Sequence, residues 1–126
     1  MWPRVIVGVI PPDGSDRDGT ELVKITGTRQ PNALTIDGEA HGCPARISNG
    51  IICSYSFMGS PEVESITVDV HDLDGTLLTQ TDVQLKEFNR CAIDIAYMTI
   101  TLNQDAPPTV SEVRYVTPCG GGLDPF

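Results

Sequence analysis

Four acidic residues crowd one short segment near the N-terminus and are the first candidates for binding chemistry. Asp13, Asp16, Asp18 and Glu21 lie between two apolar runs. Ca²⁺ prefers several hard oxygen ligands from a flexible loop, so these residue types suit calcium. The spacing departs from an EF-hand, because Gly14 stands where the first carboxylate ligand is needed. We therefore predict either a calcium-binding loop or an acidic turn that is simply solvated.

A second acidic pair lies past the middle of the chain, in the segment Asp72-Leu73-Asp74-Gly75-Thr76-Leu77. It resembles the D-x-D-G-T-L signature of haloacid-dehalogenase-type phosphatases. The resemblance implies that Asp72 is a phosphoryl-accepting nucleophile and Asp74 a general acid, roles that suit nucleophilic catalysis. That family places the motif near the start of a βαβ sheet with a lysine downstream, whereas here Lys86 is the sole later lysine and no helical pattern follows. Because Asp-Gly is also typical of a hairpin turn, we favour a turn and predict no catalytic residue.

The cysteines offer either disulfide or metal chemistry. Zinc sites usually contain closely spaced pairs such as C-x-x-C, which the sequence lacks, although His41 and His71 leave a mixed Cys/His site as an alternative. An even count in a small, turn-rich chain favours disulfides and an oxidising compartment. The four predicted disulfide residues are Cys43, Cys53, Cys91 and Cys119.

Four cysteines allow three connectivities, and we favour pairing between neighbours, Cys43–Cys53 with Cys91–Cys119. The rival is Cys53–Cys91, which would join two inward-facing strands as in immunoglobulin domains. A strict two-residue turn at Asn49-Gly50 puts Cys43 and Cys53 on opposite faces of the hairpin. Neighbour pairing therefore predicts that the first strand of this hairpin ends early or contains a bulge. Pro44 favours this, because proline has no N–H to donate to the neighbouring strand.

The charge balance restricts the partners. The net charge is −9, and the 8 Lys and Arg residues are scattered along the sequence. Nucleic acids and anionic membranes both require a clustered basic surface, so neither is expected as a partner. No apolar stretch is long enough for a membrane span. The first residues, Met1 to Val7, do not form a signal peptide, which leaves a cytosolic protein or an exported one whose leader was removed; the cysteines favour a secreted, periplasmic or cell-surface location.

The elements that would position these residues are strands. Apolar residues alternate with polar ones, and Gly, Pro and Asn interrupt the runs, which predicts an all-β fold of seven to nine short antiparallel strands with little or no helix. Hairpin turns are predicted at Asn49-Gly50 and Asp74-Gly75. Gly27 is expected to end the second strand. The pattern is typical of a two-sheet β-sandwich, immunoglobulin-like in general architecture, over residues 1–119, with a flexible tail over 120–126.

A β-sandwich does not imply a function, so function is stated as alternatives. We expect a noncatalytic module with a structural, adhesion or protein-interaction role. One version is strand addition or self-association, with Arg4–Ile10 pairing to the open edge of a neighbour. The alternatives are a calcium- or carbohydrate-binding module that uses the Asp13–Glu21 loop, and a small phosphatase-like hydrolase that uses Asp72 and Asp74.

Overall fold

The fold is all-β, as the alternating pattern predicts. The computed structural model describes residues 4–12, 19–31, 33–47, 50–58, 63–84 and 95–116. Within them the chain forms one short 3₁₀ turn, Gly19–Glu21, and ten strands, more than the seven to nine predicted, because two of the ten have only two and three residues. The predicted tail 120–126, Cys91 and Cys119 lie outside the described residues. The strands are β1 (Arg4–Ile10), β2 (Val23–Gln30), β3 (Leu34–Asp37), β4 (Glu39–Ile47), β5 (Gly50–Met58), β6 (Ser65–Asp72), β7 (Leu77–Gln84), β8 (Ile95–Thr101), β9 (Thr109–Val110) and β10 (Arg114–Val116).

The strands form two sheets. The six-stranded sheet has the order β10-β8-β1-β5-β4, with β9 also paired to β8, and the four-stranded sheet has the order β3-β2-β6-β7. The prediction of antiparallel strands throughout is wrong for one pair, because β1 runs parallel to β8. Parallel neighbours need a long connection, and here the connection is most of the chain, which builds the second sheet on the way.

The strand β1 is a central strand of the six-stranded sheet. It pairs with β5 on one side and with β8 on the other, and Val5, Val7 and Val9 are fully buried. The expectation that Arg4–Ile10 pairs with an open edge of a neighbour is therefore wrong in this fold, since both of its hydrogen-bonding edges are occupied. The run of β-branched residues is the pattern of a central strand.

A single core lies between the inner faces of the two sheets. The six-stranded sheet contributes Tyr55, Phe57 and Met98, and the four-stranded sheet contributes Ile25 and Ile66, among others. Cys53, Tyr55 and Phe57 are buried on one face of β5, as their period of two predicts. Burial of these alternating apolar side chains is the main contribution that holds the sheets together.

Two glycines allow the Phe57 ring to lie against backbone. A Cβ on Gly27 would be 3.1 Å from Phe57 Cδ1, and a Cβ on Gly38 would be 2.8 Å from Phe57 Cζ. The prediction that Gly27 ends a strand is wrong, because β2 continues through it to Gln30. Gly38 stands between β3 and β4, where the chain leaves one sheet for the other, so this crossing also depends on the absence of a side chain.

Candidate functional site

The edges of the two sheets differ in how well they are protected against pairing with another chain. Native proteins prevent such pairing with short edge strands, bulges and proline residues. On the six-stranded sheet, β9 and β10 have two and three residues, and β4 carries two register shifts as well as Pro44. On the four-stranded sheet, β3 has four residues. The remaining edge strand, β7, has eight residues and contains no Lys, Arg or Pro. The one register shift in its pairing with β6 lies at its start, between Val70↔Thr79 and His71↔Leu77.

The strand β7 pairs with β6 along one side in a regular register, from Val70↔Thr79 to Ser65↔Gln84. On its other side the described part of the chain supplies no strand. The Gln84 N–H donates to the Tyr115 hydroxyl at 3.0 Å, so this amide points away from β6. Because backbone groups in a strand alternate between the two sides, the N–H and C=O groups of Gln80 and Asp82 also face the open side.

Side-chain hydrogen bonds join β7 to β6 on the outer face of the sheet. The Gln80 amide Nε2 donates to Asp69 Oδ1 at 2.7 Å, and the Thr67 hydroxyl donates to Asp82 Oδ1 at 2.8 Å. On the other face the buried Val83 side chain packs into the core. Strand β7 is therefore held by its ladder to β6, by these side-chain hydrogen bonds on the outer face and by Val83 in the core. Its open edge presents the backbone N–H and C=O groups of Gln80 and Asp82. Gln80 and Asp82 are not among the site residues predicted from the sequence, because the residues of a strand do not show which strands lie beside it.

The β6–β7 hairpin carries a strong negative charge. Between residues 63 and 84 the sequence has five acidic side chains and no Lys or Arg. Asp82 is exposed and Asp69 half-buried on the outer face of the sheet, and Asp72 and Asp74 are exposed at the tip. The remaining acidic residue of this segment is Glu64, which is also exposed. The open edge therefore lies in a negative field.

The tip of the hairpin has the turn predicted from Asp74-Gly75. The Gly75 N–H donates to the Asp72 carbonyl at 2.9 Å, and the Asp72 N–H donates to the Thr76 carbonyl at 2.8 Å. Gly75 has a φ of 96°, in the left-handed region that glycine adopts without strain. These features define a three-residue loop, Leu73 to Gly75, which ends in a left-handed glycine, instead of a two-residue turn.

The two carboxylates of the phosphatase-like motif accept hydrogen bonds within this turn. Asp72 Oδ1 accepts the Leu73 N–H at 2.7 Å, and Asp74 Oδ1 accepts the Thr76 N–H at 2.9 Å. Hydrogen bonds from the backbone and hydroxyl of Thr76 lower the pKa of Asp74 below its ordinary value, because they favour the charged carboxylate. Both side chains thus act as turn acceptors, which is the role that the hairpin interpretation predicts.

Two open depressions flank the hairpin tip. One, of about 410 Å³, is lined by Lys24, His71 and both carboxylates of the tip, among others. The other, of about 220 Å³, is mainly apolar and lies between the ends of the two sheets, with Leu78 and Leu102 in its wall. Leu73 and Leu77 are exposed beside them. The sides of the tip therefore differ in polarity, one charged and one apolar.

The predicted calcium loop is described at one end alone. Glu21 is exposed in the 3₁₀ turn, whereas Asp13, Asp16 and Asp18 lie outside the described residues. In the described part of the chain no three His, Cys, Asp or Glu side chains come together as a metal-binding group. The calcium and carbohydrate alternatives for this loop remain predictions.

The structure joins Cys43 and Cys53 in a disulfide across the β4–β5 hairpin, in agreement with neighbour pairing. The prediction that Asn49 and Gly50 are the two central residues of the turn is wrong, because Gly50 belongs to β5 and pairs with Ile47, whereas that turn would pair Ile47 with Ile52. A register shift between Gly42 and Ala45 then sets two residues of β4 opposite Cys53. Strand β4 thus contains the bulge, at Cys43 and Pro44, that a Cys43–Cys53 disulfide requires. The Gly19 N–H also donates to Cys53 Sγ at 3.2 Å, which ties the 3₁₀ turn to the disulfide.

The two histidines that were considered for a mixed zinc site lie on different sheets. His41 is on β4 of the six-stranded sheet, with Nε2 at 2.5 Å from Ser56 Oγ. His71 is on β6 of the four-stranded sheet, opposite Lys24. They do not come together, which gives the zinc alternative no support.

Two further findings concern membrane spans and similarity to known proteins. In the described ranges there is no helix with the length and apolar character needed to cross a bilayer. The chain matches no protein-family model and no curated protein.

Proposed function

We propose that this chain is a noncatalytic protein-interaction module that binds a partner by β-strand addition at the open edge of β7. The observation that carries the proposal is the contrast between β7, which pairs with β6 in a regular register from Thr79 to Gln84, and the other edge strands, which are short or carry two register shifts and a proline. In strand addition, main-chain hydrogen bonds supply the affinity and alternate side chains supply the specificity. The outward N–H and C=O groups of Gln80 and Asp82 are arranged for such bonds.

We further propose that the two sheets form a β-sandwich, immunoglobulin-like in general architecture, that works outside the cytoplasm, in the periplasm or at the cell surface. The shared core and the Cys43–Cys53 disulfide support this proposal. Disulfides persist in oxidising compartments and are rare in the cytosol. Structural and adhesion roles belong to the same class, since they also join this domain to another protein.

Nuclear magnetic resonance of the ¹⁵N-labelled chain tests the interaction proposal. The probe is an uncharged extended peptide of alternating Val and Thr, as long as β7 and added at high concentration. We expect shifts of the Gln80 and Asp82 amide resonances, since these N–H groups would gain partners. If no peptide of this kind or of the charged kinds described below moves these resonances, the proposal is wrong.

Proline substitutions provide the matched comparison. Gln80→Pro removes an N–H that faces the open side, so it should abolish peptide binding and leave the β6–β7 ladder intact. Thr35→Pro is the control, because the register through β2 puts Thr35 at the equivalent outward position of β3, on the opposite edge of the same sheet. This variant should bind the peptide like the parent protein. Equal loss of peptide binding in both variants would contradict the assignment of the binding edge to β7. If a variant fails to fold, the Gln80 and Asp82 amide shifts of the unmodified chain decide whether the peptide binds at β7.

A further inference from the structure

We infer that the strand that β7 accepts is basic: an extended segment of a partner protein with Lys or Arg at alternate positions. This inference rests on the proposed function, and it adds the chemical class of the partner. It derives from the position of the carboxylates relative to the open edge. Asp82 is on the edge strand itself, and Asp69 is one strand further in, hydrogen-bonded to Gln80 of the edge strand.

A strand added beside β7 would bring its side chains close to these carboxylates. Directly opposed residues on neighbouring strands have Cβ atoms about 4.5–5.5 Å apart, and diagonal neighbours about 7–8 Å apart. A Lys or Arg opposite Asp82 is therefore within reach of its carboxylate. One opposite Gln80 lies diagonal to Asp82, and its long side chain extends over Gln80 toward Asp69. The hydrogen bonds that these carboxylates accept occupy part of their acceptor capacity, because each carboxylate has about four acceptor sites.

The segment from 63 to 84 has no positive side chain to compete for these positions. The nearest Lys of the sheet, Lys24, is on β2, two strands away from the open edge. Its Nζ lies 4.0 Å from Asp37 Oδ1, at the opposite edge. The other basic residue of this sheet, Arg29, is also on β2, so neither β6 nor β7 carries a Lys or Arg beside Asp69 and Asp82.

The same charges argue against a second copy of this chain as the occupant. Antiparallel pairing of two β7 strands would place two hairpins side by side, each with five carboxylates and no Lys or Arg. Like charges opposed across strands are destabilising. A basic strand turns each of these repulsions into an attraction, and the charge also speeds its approach to the edge.

Three peptides of equal length test the inference. They alternate Val with Lys, Val with Thr, and Val with Glu, and their binding is followed by the Gln80 and Asp82 amide resonances at low salt and at about 0.5 M NaCl. We expect the Lys peptide to bind at least about three-fold more tightly than the Thr peptide at low salt, and the Glu peptide to bind most weakly. The preference should shrink at high salt, because exposed charges are screened.

A pair of charge variants provides the matched control. Asp82→Asn and Asp37→Asn each remove one exposed carboxylate, from opposite edges of the same sheet. Asp82→Asn should lower the preference for the Lys peptide by about two-fold, and Asp37→Asn should leave it unchanged. Equal effects of the two variants would mean that the peptide responds to net charge alone and would overturn the inference.

The outcomes separate the inference from the function on which it rests. If all three peptides bind at β7 with equal affinity, the inference is overturned and the strand-addition proposal stands. If none moves the Gln80 and Asp82 resonances, both fail. Concentration-dependent dimerisation that grows with salt and is abolished by Gln80→Pro would identify a second copy as the occupant and would also overturn the inference.

Discussion

Removal of the Cys43–Cys53 disulfide gives a quantitative test of the fold around β5. The bridge closes a loop with a sequence separation of 10. The chain-entropy relation for a loop of this length gives a stabilisation of about 2.7 kcal/mol at 25 °C. The variant Cys43→Ala/Cys53→Ala should therefore lose about 2–3 kcal/mol of unfolding free energy, since alanine leaves the buried position apolar.

Urea denaturation followed by circular dichroism measures this difference. A companion variant, Cys43→Ala/Cys53→Ser, has the same open loop but places a hydroxyl at a fully buried position. It should lose about 0.5–2 kcal/mol more than the alanine variant, because burial of a hydroxyl is costly even where one hydrogen bond, here from the Gly19 N–H, compensates part of the cost. An unfolding free energy of the double alanine variant within about 0.5 kcal/mol of that of the parent protein would refute the Cys43–Cys53 disulfide. Equal stabilities of the alanine and serine variants would refute the burial of Cys53.

Two further predictions concern a close packing contact and a turn. Gly38→Ala should destabilise the fold by about 1–3 kcal/mol through its clash with the Phe57 ring, and Phe57→Leu should remove most of that penalty in a double-mutant cycle measured by urea denaturation; strictly additive effects would contradict the contact. Because the folded-state pKa of Asp74 is lowered, the stability that this carboxylate contributes is present above its ordinary pKa and is lost as the pH falls through the lowered value. Thr76→Val removes the hydroxyl hydrogen bond and should raise the pKa of Asp74 in a ¹³C titration, and an unchanged pKa would contradict the assignment.

Local patterns in the sequence predicted the local features of the fold. The period of two placed Cys53, Tyr55 and Phe57 on the buried face of β5, and Asp74-Gly75 marked a hairpin. The need for a bulge followed from the opposite faces of Cys43 and Cys53. Each of these features depends on residues that are close in sequence or directly paired, so composition and spacing were sufficient.

Features that depend on contacts between distant segments could not be predicted from local sequence patterns. Whether a strand is central or at an edge depends on pairing between distant segments. The sequence therefore does not show that both sides of Arg4–Ile10 are occupied, and the prediction that this strand pairs with a neighbouring molecule is wrong. The prediction that Gly27 ends a strand is wrong for a similar reason, because the role of this glycine depends on the Phe57 ring, which comes from the other sheet. The open edge at Gln80 and Asp82 had one usable signal, a polar strand without Lys, Arg or Pro.

Amide hydrogen exchange along β7 tests the central claim most directly, in the free chain and with the Lys-containing peptide. The Thr81 N–H is bonded to β6 by the alternation of the ladder, whereas those of Gln80 and Asp82 face the open side. In the free chain we expect Gln80 and Asp82 to exchange at least about ten-fold faster than Thr81, and to be slowed when the peptide is bound. Gln80 and Asp82 amides that are already protected in the free chain, or that exchange equally fast with the peptide present, would contradict an open edge that accepts a strand.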